Sequence, residues 1–476
     1  MKNNIILNTD SYKVGMDQEY PETTTGVFSY IESRGGRYSE TVMFGLQAFI
    51  KEYLLSPITK QDIDEAESIW TGHGEPFNRA NWDYILNEHK GYLPVLIKAV
   101  PEGTVVPTGN VLLTIENTDP KCYWLTTWLE TALLRAIWYP TTVATNSREI
   151  KKIILKFLDE TGTPETIGFK LHDFGMRGVS SYESSLLGAT AHLVNFMGTD
   201  TISGIKGARD YYNEPMAAFS IPASEHSIST AWGPENESGY VTQMLKFFEN
   251  YDIVATVADT YDVFNYCKLL GTEFKDRIQA LGEKGKTLVV RPDSGNPTII
   301  PVQVIETLMK YFGFEINDKG YRVLPSYIRA IQGDGINADS IEDILSTMKN
   351  LKLSADNIAF GMGGQLLGAP QRDDQKFAQK ASAVQINGEW IDIYKTPVTD
   401  PGKSSKKGRL GLIYQCGVGN CGYQTVPEAV AEKIGNELKT IYQDGMLFNE
   451  TDFASIRSRA EVKPEEFKEF EYIDRY

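Results

Sequence analysis

Seven short apolar runs in the middle of the chain each end in a turn rich in glycine and charged residues, and a helix-like segment follows each turn. The runs are F-K-L-H-D-F-G-M-R-G (169–178), L-V-N-F-M-G-T-D (193–200), F-S-I-P-A-S-E-H (219–226) and I-V-A-T-V-A-D-T-Y-D (253–262), then L-V-V-R-P-D-S-G (288–295), I-R-A-I-Q-G-D-G (328–335) and I-A-F-G-M-G-G (358–364). Strands that alternate with helices pair in parallel, because a parallel neighbour needs a crossover long enough to hold a helix. No sequence identity links the units, so the recurrence is architectural rather than a sequence repeat. Such a series closes as a barrel or lies open as a doubly wound sheet, and in both cases ligands bind at the carboxyl ends of the strands. We read a barrel-like closure. His172, Asp173, Arg177, Asp200, His226, Asp259, Arg291, Asp293 and Asp334 all fall at that point of their units. So many ionisable groups at one relative position indicate a shared site.

A chain of 476 residues exceeds one simple core, so two or three domains are expected. The net charge of −16 argues against a nucleic-acid binder, which needs a basic face, but leaves room for small phosphorylated ligands where cations gather locally. No apolar stretch approaches membrane-spanning length, and the N-terminal run is too short for a signal peptide. Four cysteines, at 122, 267, 416 and 421, suit a reducing compartment, and a cytoplasmic location is expected. Cys416 and Cys421 have no further Cys or His nearby to complete a zinc site and are read as two separate thiols.

Around the central series the pattern differs. Residues 60–90 read as helical. From Tyr92, β-branched runs separated by P-E-G and P-T-G-N turns read as an antiparallel meander. Cys122 to Glu160 is helix-rich, with Pro140 expected to break it in two. After about residue 380 the rhythm stops and β-like runs return. The expected organisation is α/β: an irregular (β/α) barrel-like domain over 167–380, and an α+β domain built from 1–166 and completed by 381–476.

Several short motifs carry chemistry. R-P-D-S-G (291–295) follows a strand and offers the Arg291 guanidinium and the Ser294 and Gly295 backbone N–H groups to phosphate. Q-G-D-G (332–335) and G-M-G-G (361–364) suit hydroxyl, metal or anion contacts, and equally suit plain tight turns. G-V-G-N-C-G (417–422) matches G-x-G-x-x-G only literally. A dinucleotide fingerprint opens a helix, whereas here β-like residues resume, so a hairpin is the better reading. The run Lys403, Lys406, Lys407 and Arg409 is a solvated loop or a flap over phosphates. His226 lies between Glu225 and Ser227 at a strand-to-helix turn, where a hydrogen-bonded loop histidine is the plain alternative to a chemical role.

Taken together, T-D-S-Y-K-V, K-A-V-P-E-G, Y-P-T-T-V-A-T-N-S-R-E, K-L-H-D-F-G-M-R-G-V-S-S, H-L-V-N-F-M-G-T-D-T, P-A-S-E-H-S, R-P-D-S-G-N-P, I-Q-G-D-G and S-K-K-G-R-L resemble, in order and nearly end to end, the nicotinate/nicotinamide (type II) phosphoribosyltransferases. The resemblance implies transfer of phosphoribose from phosphoribosyl pyrophosphate (PRPP) to nicotinamide, with Mg²⁺, in a homodimer whose active sites lie at the subunit interface. It implies an aromatic sandwich of Phe174 with Tyr12 of the other subunit, and Asp200 facing the carboxamide N–H. Arg177, His226 and Arg291 match phosphate and pyrophosphate contacts. Ser220, Pro292, Asp293, Arg329, Gly333, Asp334, Gly363, Gly364 and Arg372 match contacts to the base and the phosphoribose. Arg34, Lys380, Lys395 and Lys403 match basic groups from the second subunit. Asp259 and Asp293 are the candidates for organising Mg²⁺, and His226 matches a histidine phosphorylated by ATP. Met176 and Gln365 depart from residues common in animal relatives. Two other readings compete: use of nicotinate in the same fold, and a catalytically silent pyridine-nucleotide-binding protein.

Overall fold

The computed structural model describes residues 4–399, 404–417, 420–468 and 470. The chain forms two compact units: one of Met1–Thr145, Gly207–Glu214 and Gln371–Ala460, the other of Asn146–Lys206, Pro215–Pro370 and Glu461–Tyr476. The first boundary falls within the helix Glu130–Thr161, which runs unbroken through Pro140. Pro140 was expected to end that helix. It does not, and the chain at Gly45 lies close against the Pro140 ring and the Ala136 carbonyl. A Cβ at Gly45 would lie 2.6 Å from that carbonyl oxygen and 2.5 Å from the Pro140 ring, and its φ of +109° also favours glycine.

The first unit is built on a seven-stranded antiparallel sheet. Its order is Glu389–Asp392, Phe377–Ile386, Thr24–Ser33, Val111–Asn117, Val95–Ala99, Lys439–Gln443 and Met446–Leu447. N- and C-terminal segments thus share one sheet, as the returning β pattern after residue 380 implied. The meander read from Tyr92 is corrected: Val105–Pro107 leaves the sheet to pair with Glu40–Val42, and Val95–Ala99 pairs directly with Val111–Asn117. Trp82, Trp124 and Trp128 pack edge to face in its core. The segment around 417–422 is a hairpin, Leu410–Gly417 against Asn420–Pro427. Cys416 and Cys421 face each other across it with Cα atoms 4.0 Å apart and are joined as a disulfide, not left as separate thiols.

The second unit contains the parallel sheet. Six strands lie in the order Gly198–Thr199, Leu171–Asp173, Ile358–Met362, Ile328–Gln332, Thr287–Arg291 and Ile253–Val257, every pairing parallel. The run 193–197 is not part of a strand: its residues 193–196 are buried in the turn after the helix Tyr182–His192. The segment 219–224 forms no strand of its own but touches both edges. Phe219 bridges to Gly198 and Ala223 to Ala255. Four backbone hydrogen bonds make these joins: Phe219 N–H to Met197 and Thr199 N–H to Phe219, then Ala255 N–H to Pro222 and Ser224 N–H to Ala255. The sheet therefore closes in sequence order into an irregular barrel. Among the described residues no helix is long and apolar enough to cross a membrane.

Candidate active site

Small residues on the inward faces leave the barrel hollow. Ala255, Val289 and Ile331 form its inner apolar cluster, with Phe174, Ile221 and Ala359 packed against them. A barrel of large branched side chains fills itself; here the alanines leave a cavity of about 690 Å³. On one strand Thr287, Val289 and Arg291 all line it, as the two-residue period of a strand dictates. The cavity thus follows that strand from its amino to its carboxyl end.

At the carboxyl end the predicted residues converge. Phe174 follows the strand Leu171–Asp173, and its N–H donates to Met362 O at 2.9 Å. Its ring rests on two glycines: a Cβ at Gly361 would lie 1.9 Å from the ring and one at Gly333 3.3 Å. Gly333 also abuts Asp293, whose Oδ1 would be 3.2 Å from the same added Cβ. His172 and Asp200 line the cavity beside Phe174, and the Ser220 hydroxyl donates to Asp200 Oδ1. Burial lowers the His172 pKa, opposed by the Asp200 charge. Asp173, by contrast, leaves the site: it is fully buried, accepts the Gly175 N–H at 2.7 Å, and burial pushes its carboxyl up to about 6.

His226, Asp259, Arg291 and Asp293 lie at the following strand ends and turns. His226 opens the helix His226–Trp232, and its Nε2 is 3.1 Å from Asp259 Oδ1. Glu225 instead accepts from Ser227, so Asp259, not Glu225, orients the imidazole. Arg291 stands 3.6 Å from Asp293 Oδ2, and its Nε is buried without a hydrogen-bond partner among the described residues. Burial raises the Asp293 pKa; Arg291 opposes the shift, while the Asp259 and Asp334 charges add to it. Pro292 is buried, whereas Asp334, Gly364 and Arg177 are exposed at neighbouring strand ends. The Gly363 carbonyl lies against Gly175, so the two glycine-bearing turns nest together.

Not every predicted residue joins them. Arg329 lies early in its strand, and its Nη1 donates to Leu324, Pro325 and Ile328 carbonyls at 2.7–3.0 Å. Lys170, which the sequence reading missed, is its neighbour at the amino end: Nζ donates to Ala355, Asp356 and Ile358 carbonyls at 3.0–3.3 Å, and burial pulls its pKa down to about 8. Its place two residues before His172, on the same strand face, was the available signal. Tyr12, Arg34, Arg372, Lys380 and Lys395 belong to the first unit. Tyr12 is 62% exposed and Arg372 pairs with Asp373 at 3.0 Å. Burial lowers the Lys380 pKa, Glu130 opposes, and the cations Arg34, Lys13 and Lys395 add to the shift. Arg34 Nη2 is buried without a hydrogen-bond partner among the described residues. Lys403 lies outside the described residues.

Residues 169–446 match the nicotinate phosphoribosyltransferase (NAPRTase) family, and residues 4–97 match the N-terminal domain of nicotinamide phosphoribosyltransferase. A nicotinamide phosphoribosyltransferase of Xanthomonas campestris is 47% identical, covering 96% of this chain and 98% of its own. One from Acinetobacter baylyi is 30% identical, covering 97% of both chains. The crystal structure of nicotinate-nucleotide pyrophosphorylase from Pyrococcus furiosus shares the fold, with a TM-score of 0.62 at 19% identity over 97% of this chain and 95% of that one. A hollow parallel barrel with cations, carboxylates and a shelved aromatic ring at its carboxyl end fits this kinship. The chain is a phosphoribosyltransferase and belongs to the nicotinate phosphoribosyltransferase family.

Proposed function

We propose that the chain transfers the phosphoribosyl group of PRPP to nicotinamide, giving nicotinamide mononucleotide and pyrophosphate in NAD salvage. One observation carries the choice of base: a carboxylate, Asp200, lies at the same strand ends as the ring of Phe174 and accepts from Ser220. A pyridine ring on Phe174 would present its carboxamide N–H to that carboxylate, whereas the carboxylate of nicotinate would be repelled. The names of the two bacterial relatives support the same base.

In the transfer, the pyridine nitrogen lone pair forms the bond to C1 as the C1–O bond breaks, and that electron pair leaves with pyrophosphate. No nucleophilic side chain is needed. The chain's part is to aim the ring and to stabilise the charge that develops on the leaving oxygens. Arg291, whose Nε has no hydrogen-bond partner among the described residues, and Arg177 serve the pyrophosphate; Asp293, Gly333, Asp334, Gly363 and Gly364 serve the phosphoribose. Mg²⁺ would neutralise pyrophosphate oxygens. Burial is the main cause of the raised Asp293 pKa, but the Asp259 and Asp334 charges add to it, and this group of carboxylates suits a divalent cation held largely by substrate and water.

The functional molecule in this reading is a homodimer. Tyr12 of a second copy covers the pyridine ring opposite Phe174, and Arg34, Lys380, Lys395 and Lys403 flank the PRPP entrance. The exposed Tyr12 ring and the cation cluster around Lys380 support it. ATP phosphorylates His226: with Nε2–H held by Asp259, Nδ1 keeps its lone pair, attacks the γ-phosphorus and expels ADP. The phosphohistidine then helps to order Mg²⁺ and PRPP.

Asp200→Ser tests the base assignment. A charge-assisted hydrogen bond is worth about 1.5–3 kcal/mol, so the nicotinamide-to-nicotinate ratio of kcat/KM should fall roughly ten- to hundredfold. An unchanged ratio sinks the assignment. His226→Ala should remove ATP stimulation while some turnover without ATP persists; full stimulation in the variant would exclude the coupling role.

A further inference from the structure

A second group of metal-type ligands lies in the antiparallel unit, outside the barrel. His89 follows the helix Arg79–Glu88, Asp119 caps the single turn Pro120–Cys122, and Cys122 ends that turn. One ligand atom from each of the three lies within 4.8 Å of the other two. We propose that His89, Asp119 and Cys122 form a Zn²⁺ site that fastens the end of this helix to the turn.

The donor set selects the ion. Zn²⁺ takes imidazole nitrogen, carboxylate oxygen and thiolate sulfur together, whereas Mg²⁺ and Ca²⁺ take oxygen. Three protein ligands leave a fourth position for water. The carboxylate is already oriented: Asp119 Oδ1 caps the Lys121 N–H at 2.8 Å, and Oδ2 accepts from the Tyr84 hydroxyl at 2.9 Å. Tyr84 thus stands behind the ligand set, as the outer partners of metal sites do. His89 Nε2 is 2.8 Å from Asp119 Oδ2. Bonds of about 2.0–2.3 Å set tetrahedral ligand atoms roughly 3.3–3.7 Å apart, so the imidazole swings outward by somewhat less than 1 Å on binding. With a quarter of its side-chain surface exposed, it has room to do so. Cys122 is 1% exposed and holds the inner position. On binding, the imidazole proton moves to Nδ1 and the thiol proton leaves to solvent, one proton for each metal ion. Lys121 and Glu88 are the neighbouring charges, and the Lys121 ammonium lies 4.5 Å from the Tyr84 ring centre.

Co²⁺ is the probe, because its thiolate complexes absorb in the near ultraviolet. The full chain, carrying Cys416→Ser and Cys421→Ser, is stripped with chelator and titrated in excess Mg²⁺. One equivalent of Co²⁺ should give a thiolate charge-transfer band that one equivalent of Zn²⁺ removes. Cys122→Ser should abolish the band, His89→Gln should weaken Zn²⁺ binding at least a hundredfold, and Tyr84→Phe should weaken it about ten- to hundredfold. No thiolate band, a band that survives Cys122→Ser, or an unchanged affinity in His89→Gln overturns the site and leaves a plain His–Asp pair beside a core thiol. His89→Gln changes a half-buried side chain and carries the test even if Cys122→Ser fails to fold.

Discussion

The two ends of the barrel use the same residue types to opposite purposes. Arg291 and Arg329 lie on neighbouring, parallel strands, and both line the cavity. Arg329 at the amino end gives three hydrogen bonds to carbonyls, and Lys170 beside it gives three more. At the carboxyl end Arg291 keeps a buried Nε without a hydrogen-bond partner among the described residues, and the Asp293 carboxylate lies 3.6 Å from its guanidinium. A cation saturated by the backbone holds the fold together. A cation left short of acceptors carries a free-energy cost that an anionic ligand would relieve.

Paired substitutions can break this contrast. Arg291→Ala should lower kcat/KM for PRPP by about 10²–10³, the usual loss when one donor to a developing anion is removed, with little change in Tm. Arg329→Ala should do the reverse: its orphaned carbonyls cost about 1–3 kcal/mol, or roughly 2–12 °C in the Tm of a unit this size. Equal losses of activity in the two variants, measured beside thermal unfolding, would erase the distinction. Gly361→Ala should tilt the Phe174 ring off its shelf and raise KM for nicotinamide about tenfold, with KM for PRPP much less affected, as overpacking by one methyl costs about 1–3 kcal/mol. If both KM values rise together, the ring shelf is not what was lost.

The smallest effect is electrostatic. The Lys170 pKa falls to about 8 in the folded chain, below its value of about 10.4 when unfolded. Between these values the unfolded chain binds the extra proton, so the Lys170 contribution makes stability rise with pH from about 8 to about 10.4, and its destabilising cost is fully present below pH 8. Lys170→Met should flatten that part of the profile in denaturant titrations. An unchanged slope would mean that the ammonium keeps an ordinary affinity for its proton.

The sequence made the carboxyl-end residues legible because strand ends announce themselves by turn chemistry: Phe174, Asp200, Asp293 and Gly333 all sit where an apolar run meets glycine or aspartate. The amino end was not legible. Lys170 and Arg329 lie within or beside apolar runs, and only the closed barrel shows that their heads reach carbonyls rather than solvent. Pro140 misled because the glycine that leaves room for its ring, Gly45, is far away in sequence. Cys416 and Cys421 misled because cross-strand pairing depends on hairpin register rather than on spacing alone. The meander failed for a related reason, since Val105–Pro107 finds its partner at Glu40–Val42, a choice that local turn signals do not encode.

The closure of the barrel has one more consequence. Between the edge strands Gly198–Thr199 and Ile253–Val257 the sheet is completed by four backbone hydrogen bonds and by no further strand. The same short stretch carries Ser220 and runs directly into His226. Short ladders open locally at lower free energy than the core strands around them. The barrel therefore has a seam, and the serine that donates to Asp200 and the histidine that pairs with Asp259 are both stitched into it.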